Sequence, residues 1–249
     1  MLFFSPKGVG EICGMFTLPH LMALMVCILL IILGVHLTLK IDEKKVYQVV
    51  RATAILVTIL EIMKIVYNFY YGYTNLDSWF PLAYCSLFIY STWMVGYGNK
   101  KLKKIGSSFL VGGGIMAGLA FLIFPTTSLM MCPLYHFLSF HSLIFHSLMV
   151  FIGIMCYNNN VFKFSKKGYI SYITFCLIFM VLALIVNMLG DCNMMFLKEP
   201  FNIPIPILKT IREKSQIIYS LIIMIVYLTI PYGIMNMIDR LLNRGENHV

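Results

Sequence analysis

Apolar runs of about twenty residues recur along this chain, and no other feature limits its fold as tightly. A helix crosses the hydrocarbon layer of a bilayer in roughly 20 residues, so each run has the length of a membrane span. Seven runs lie near 17–39, 47–71, 79–97, 105–124, 136–157, 169–190 and 215–238. Lipid offers a backbone no hydrogen-bond partners, which makes each run a helix rather than an open strand. Most connections are short and leave no room for a soluble domain. Residues 1–249 are therefore read as a single integral membrane domain: an all-α, polytopic membrane helix bundle of seven transmembrane helices. Six spans, with one weaker run lying flat, is the second choice. The composition agrees, at 60% hydrophobic and 12% charged residues with a mean hydropathy of +0.86. The run at 18–39 is too long for a signal-peptide core and no small-residue cleavage site follows it, so it is read as a retained first span.

The formal charge of +9 raises the question of nucleic acid, but the basic residues cluster between apolar runs as they do in membrane loops. Lys40, Lys44, Lys45 and Arg51 flank the first connection, Lys100, Lys101, Lys103 and Lys104 the third, Lys163, Lys166 and Lys167 the fifth, and Arg240 and Arg244 the tail. Thirteen of the nineteen basic residues thus fall on one side, while the second and fourth connections hold none. The positive-inside rule then places the N-terminus outside and the C-terminus in the cytoplasm. The exception is 191–214, read as an external loop before the last helix. It carries Lys198, Lys209, Arg212 and Lys214 together with Pro200, Pro204 and Pro206.

Polar groups inside the runs are costly in lipid and mark candidate functional positions. Glu61 and Lys64 are three residues apart, on one face of the second helix, where they can pair. Cys85 lies about six residues into the third run, roughly 9 Å along a helix. His141 and His146 sit in the fifth run, five apart and about 140° around a helix, which puts them on different faces. His20 begins the first run, and Asn187, Asp191 and Asn193 end the sixth. With the topology above, these groups share the outer half of the membrane, which favours one outward-facing polar site. The bland reading is that they hydrogen-bond helices together. A histidine at the depth of a cysteine adds a chemical possibility, since histidine can generate the nucleophilic thiolate. The seven cysteines form no CxxC pair and signal neither a disulfide framework nor a zinc site. No Walker or Rossmann glycine pattern opens a helix, and the last run has no central lysine for a retinal Schiff base. Gly112, Gly113, Gly114 and Gly118 instead give the fourth run a small-residue packing face.

Several segments together resemble a known family. They are Phe16-Thr17-Leu18-Pro19-His20, Glu61, Phe80-Pro81-Leu82-Ala83-Tyr84-Cys85, the glycine-rich stretch 112–125 ending in proline, Phe145-His146, and 187–200 with Asn187, Gly190, Asn193, Phe196 and Pro200. They resemble the YwaF-like bacterial integral membrane proteins, related to an animal transmembrane ether-phospholipid acyltransferase, over most of the chain. Tyr84 stands where the family has the first histidine of its LPLHLC motif, and Met194 where it has a tyrosine. The resemblance implies a multi-pass protein of a bacterial cell membrane that acts on membrane phospholipids without a cofactor or metal. It implies Cys85 as the acyl-accepting nucleophile and His146 as its base. Glu61 would orient a histidine or balance Lys64. Asn187 and Asn193 would hydrogen-bond the headgroup or oxyanion, with His20, Tyr84, His141 and Lys64 completing the substrate side. No nucleic acid or nucleotide partner is implied, and the oligomeric state is open. The competing readings keep the same residues: a transporter or small-ligand binder using Glu61 and Lys64, or a non-catalytic envelope protein held together by its polar groups.

Overall fold

The computed structural model of the chain describes residues 2–200 and 205–244; Pro204 and its three predecessors lie outside the described residues. Every regular element among them is helical. The long helices are α1 (Leu18–Leu37), α2 (Glu43–Tyr70), α5 (Lys100–Phe109) continuing into α6 (Ile115–Ile123), α7 (Phe137–Asn158), α8 (Lys166–Leu189) and α10 (Gln216–Arg244). The shorter ones are α3 (Leu76–Trp79), α4 (Leu87–Tyr97) and α9 (Pro206–Lys214). Among the described residues, five stretches are long and apolar enough to cross a membrane: α1, the α5–α6 rod, α7, α8 and α10. At 28 residues α2 is also long enough, but it carries Glu61 and Lys64 within its length and is not among the five.

The helix ends follow local chemistry. Thr17 caps α1 by accepting from the His20 N–H, Asn99 caps α5 with its side chain, and Ser165 caps α8 through the Gly168 N–H. At α7 the His136 ring takes this role, with Nδ1 accepting from Leu138 N at 3.1 Å. Gly72, at φ +74°, supplies the left-handed residue that stops α2.

The third run differs from its sequence reading. It is not one helix over 79–97: α3 ends at Trp79, residues 80–86 are irregular, and α4 starts at Leu87. Pro81 brings no N–H and pushes Phe80 to extended geometry, φ −80° and ψ 119°. Successive three-residue turns then lead into the helix, with Ser86, Leu87 and Phe88 N–H donating to Ala83, Tyr84 and Cys85 carbonyls. At eleven residues α4 is roughly 16 Å long, too short to cross a bilayer alone. Irregular backbone at membrane depth survives only inside protein, and Leu82, Tyr84 and Ser86 are buried here. The fourth run also starts earlier than 105, at Lys100, and its middle, Leu110–Gly114, widens into one turn of π-helix.

The core lies around α7 and this π-turn. α7 packs against α1, α2, α6 and the π-turn, while α5 packs against α4 and α8. The small-residue face has specific neighbours. A Cβ at Gly112 would meet the Tyr232 ring at 2.6 Å, at Gly113 the Tyr84 hydroxyl at 2.8 Å, and at Gly118 Val150 at 2.7 Å. Between α2 and α4, Arg51 Nε donates to the Gly96 carbonyl at 2.7 Å. By contrast α1 buries only His20, Cys27 and Ile31 and leaves most of its aliphatic residues exposed, as a lipid-facing helix does.

One end of the bundle is closed by three irregular segments. The N-terminal stretch pairs with the loop after α6 through Gly8, Cys13 and Gly14 N–H groups donating to Met131, Cys132 and Leu129 carbonyls. Tyr67 and His136 both donate to the Ser5 carbonyl, at 2.7 and 2.8 Å. The loop after α8 docks on α3, where the Asn193 N–H meets both Asp77 carboxylate oxygens at 3.0 and 3.1 Å. In the predicted external loop, α9 occupies most of 205–214, with Pro206 in its first turn. The Arg244 backbone closes α10.

Candidate functional site

Glu61 is the centre of a buried polar cluster between α2, α7 and the broken segment before α4. Its carboxylate is almost fully buried, and Lys64 Nζ lies 2.6 Å from Oε1, the three-residue spacing giving the pair its contact. On the other oxygen, His141 Nε2 stands 3.8 Å away, beyond hydrogen-bond length. That nitrogen is buried without a hydrogen-bond partner among the described residues, as a side chain poised to receive one would be.

Cys85 lies in the irregular turn, partly buried, with the Lys64 and Glu61 charges acting on its thiol. One turn on, Phe88 packs edge-on against Phe145 with ring centres 5.5 Å apart. Phe145 is flanked by the two histidines: its ring stacks with His141 at 5.8 Å and meets His146 edge-on at 5.5 Å. The helical angle between these histidines sends them to different neighbours, His141 to Glu61 and His146 to a stack on Phe121 of α6 at 3.8 Å. His146 Nδ1 lies 2.7 Å from the Ser142 carbonyl and must donate to it. A neutral ring with its proton on Nδ1 keeps a lone pair on Nε2, the form a base needs.

The other predicted site residues are placed elsewhere and held by bonds of their own. His20 uses both ring nitrogens, Nδ1 accepting from Phe16 N and Nε2 donating to the Leu122 carbonyl, each at 3.0 Å, so it locks α1 to the end of α6. The Asn187 carboxamide embraces Met194, accepting from its N–H at 2.6 Å and donating to its carbonyl at 3.1 Å. Asn193 donates to the Glu199 carbonyl and accepts from the Lys198 and Glu199 N–H groups. Together they hold a loop in which Met195 and Phe196 adopt the left-handed conformation, unfavourable for side chains of that size. Asp191 pairs with Lys198 at 3.0 Å.

Tyr84 points away from the cluster into an aromatic chain that sequence reasoning did not find. Its ring stacks on Tyr227 at 4.3 Å, 7° from parallel, and its hydroxyl is 2.7 Å from the Tyr172 hydroxyl. Tyr172 in turn donates to the Tyr227 carbonyl at 2.5 Å, so Tyr84 is the donor to Tyr172. The origin of this chain is Pro231. Lacking an N–H, it leaves the carbonyl four residues earlier, that of Tyr227, without its helical partner. The signal in the sequence was a proline four residues after a tyrosine inside an apolar run. Tyr90, whose hydroxyl donates to the Pro81 carbonyl at 3.0 Å, ties α4 back over the break.

These features define a class: a helical integral membrane protein with a buried ion pair beside a histidine and with a helix broken at a cysteine. Within that class the chain belongs to the TMEM164 family, whose sequence profile matches residues 15–234. No curated protein and no solved structure matches it.

Proposed function

We propose that this protein is a phospholipid acyltransferase of the cell membrane, using Cys85 as nucleophile and His146 as base. The observation that supports it most is a thiol held in a non-helical turn within electrostatic reach of the buried Glu61–Lys64 pair, which His141 adjoins. His146 Nε2 takes the thiol proton, and the thiolate attacks the ester carbonyl of a membrane phospholipid. The acyl carbon–oxygen bond breaks, His146 returns the proton to the departing lysolipid oxygen, and a Cys85 thioester remains. The hydroxyl of a second lipid then attacks the thioester and regenerates the thiol. Lys64, held by Glu61, supplies the positive charge that would favour the forming thiolate.

This reading takes seven crossings, with α2 spanning and the α3–α4 segment crossing as a broken unit. In it the N-terminus is outside and the lysine-rich connections are cytoplasmic. Purified Cys85→Ala and Cys85→Ser protein should insert normally and lose acyl exchange between defined phospholipids. Full exchange by Cys85→Ala would overturn the reading. The buried Glu61–Lys64–His141 group favours a second one, proton- or anion-coupled transport; substrate flux into liposomes that survives Cys85→Ala would select it.

A further inference from the structure

The end of the molecule away from Glu61 holds a second polar feature. Tyr47 lies fourteen residues before Glu61 on α2, roughly 21 Å along the helix. There a cavity of about 330 Å³ opens between the first turns of α2, α5 and α8. Lys100, Lys103 and Lys104 of α5 and Lys163 of the α7–α8 connection line it, with Tyr47, Ser107 and Ser165, and no carboxylate. Lys103 Nζ sits 3.8 Å from the centre of the Tyr47 ring, which fixes that ammonium at the wall. None of the four lysines belongs to an ion pair among the described residues. Glu43, one turn before Tyr47 on α2, is an acidic group acting on this wall from outside the lining. The N-terminal turns of α5 and α8 add the positive ends of two helix dipoles. Positive charges around one concavity repel each other and focus a field that draws an anion in.

The positive-inside tendency requires lysines on this side of the membrane, but it does not require them around one cavity. Lys101, Lys166 and Lys167 come from the same connections and do not line it. We infer that this cavity is a binding site for a phosphate-bearing anion, with Lys100, Lys103, Lys104 and Lys163 as donors. It is separate from Cys85 and independent of the acyl-transfer reading. A lysine ammonium binds phosphate as a compact charge with three donors, which suits either a free phosphate compound or the headgroup of an anionic phospholipid.

The test uses the full chain in phosphatidylcholine nanodiscs. Short-chain phosphatidylglycerol and inorganic pyrophosphate are titrated separately, and one-to-one complexes are counted by native mass spectrometry. At least one probe should form such a complex. Its affinity should fall about tenfold or more, some 1.4 kcal/mol, in Lys103→Gln/Lys163→Gln. It should hold within about twofold in Lys101→Gln/Lys167→Gln, which removes the same charge outside the cavity. Lys103→Arg/Lys163→Arg should retain binding and shows that loss in the glutamine pair is not misfolding. Binding of the lipid alone assigns a headgroup site; binding of pyrophosphate, with displacement of the lipid, assigns a site for free phosphates. No one-to-one complex with either probe, or equal weakening by both glutamine pairs, overturns the inference.

Discussion

At the scale of single residues, charge burial decides the behaviour of the cluster. Glu61 and Lys64 were visible as a pair because three residues on a helix share a face, and the contact at 2.6 Å follows from that spacing. What the sequence did not show is that His141 takes the other side of the carboxylate, because that depends on how α7 lies on α2. Removing one member of a buried pair strands the other. Glu61→Gln should therefore destabilise the protein by about 3 kcal/mol, read as thermal unfolding in detergent. Glu61→Gln/Lys64→Met should recover more than half of that loss, because no charge is then left stranded. If the double variant is no more stable than the single one, the pair does not contribute as an ion pair. Asn187 and Asn193 show the opposite limit of legibility. Their polarity made them site candidates, yet their hydrogen bonds are consumed within a tight loop whose left-handed residues give no signal in the sequence.

At the scale of elements, two prolines matter more than hydropathy. Pro81 breaks the third run and leaves Cys85 in a turn rather than on a helix face, so distances counted along a helix do not apply there. Pro231 stays inside α10 but frees the Tyr227 carbonyl, which Tyr172 then takes, orienting Tyr84 beside the same turn. Tyr172→Phe should cost about 1–3 kcal/mol, since both the Tyr227 carbonyl and the Tyr84 hydroxyl lose a partner. Adding Pro231→Ala supplies a new N–H to Tyr227. Thermal melts should show the double variant more stable than Tyr172→Phe alone; a purely additive pair of losses would refute this link between α8 and α10. The glycine run was legible as a packing face, but its partners were not. Tyr84 and Tyr232 approach it from elements about thirty and a hundred and twenty residues away in sequence.

At the scale of the whole molecule, the prediction concerns sidedness. Single cysteines introduced as Lys101→Cys and Lys166→Cys should react with a membrane-impermeant thiol reagent from one face only, and Asn75→Cys and Lys198→Cys from the other. Labelling of Asn75→Cys and Lys101→Cys from the same face would remove the crossing between α3 and α5, and with it the seven-span reading. The amino-acid sequence by itself determined that this is an all-helical membrane protein. Long apolar runs leave a backbone no other way to satisfy its hydrogen bonds, and that rule acts locally. It also determined which polar groups enter those runs. Only the tertiary structure decided which of them meet. The two asparagines are held in local bonds and His20 bridges α1 to the end of α6, while Glu61 gathers Lys64 and His141 and the same ion pair acts on Cys85; His146 instead stacks on Phe121. The reason is physical: burial of a polar group in lipid is tolerated wherever a partner is found, and the partner is chosen by how helices distant in sequence pack together.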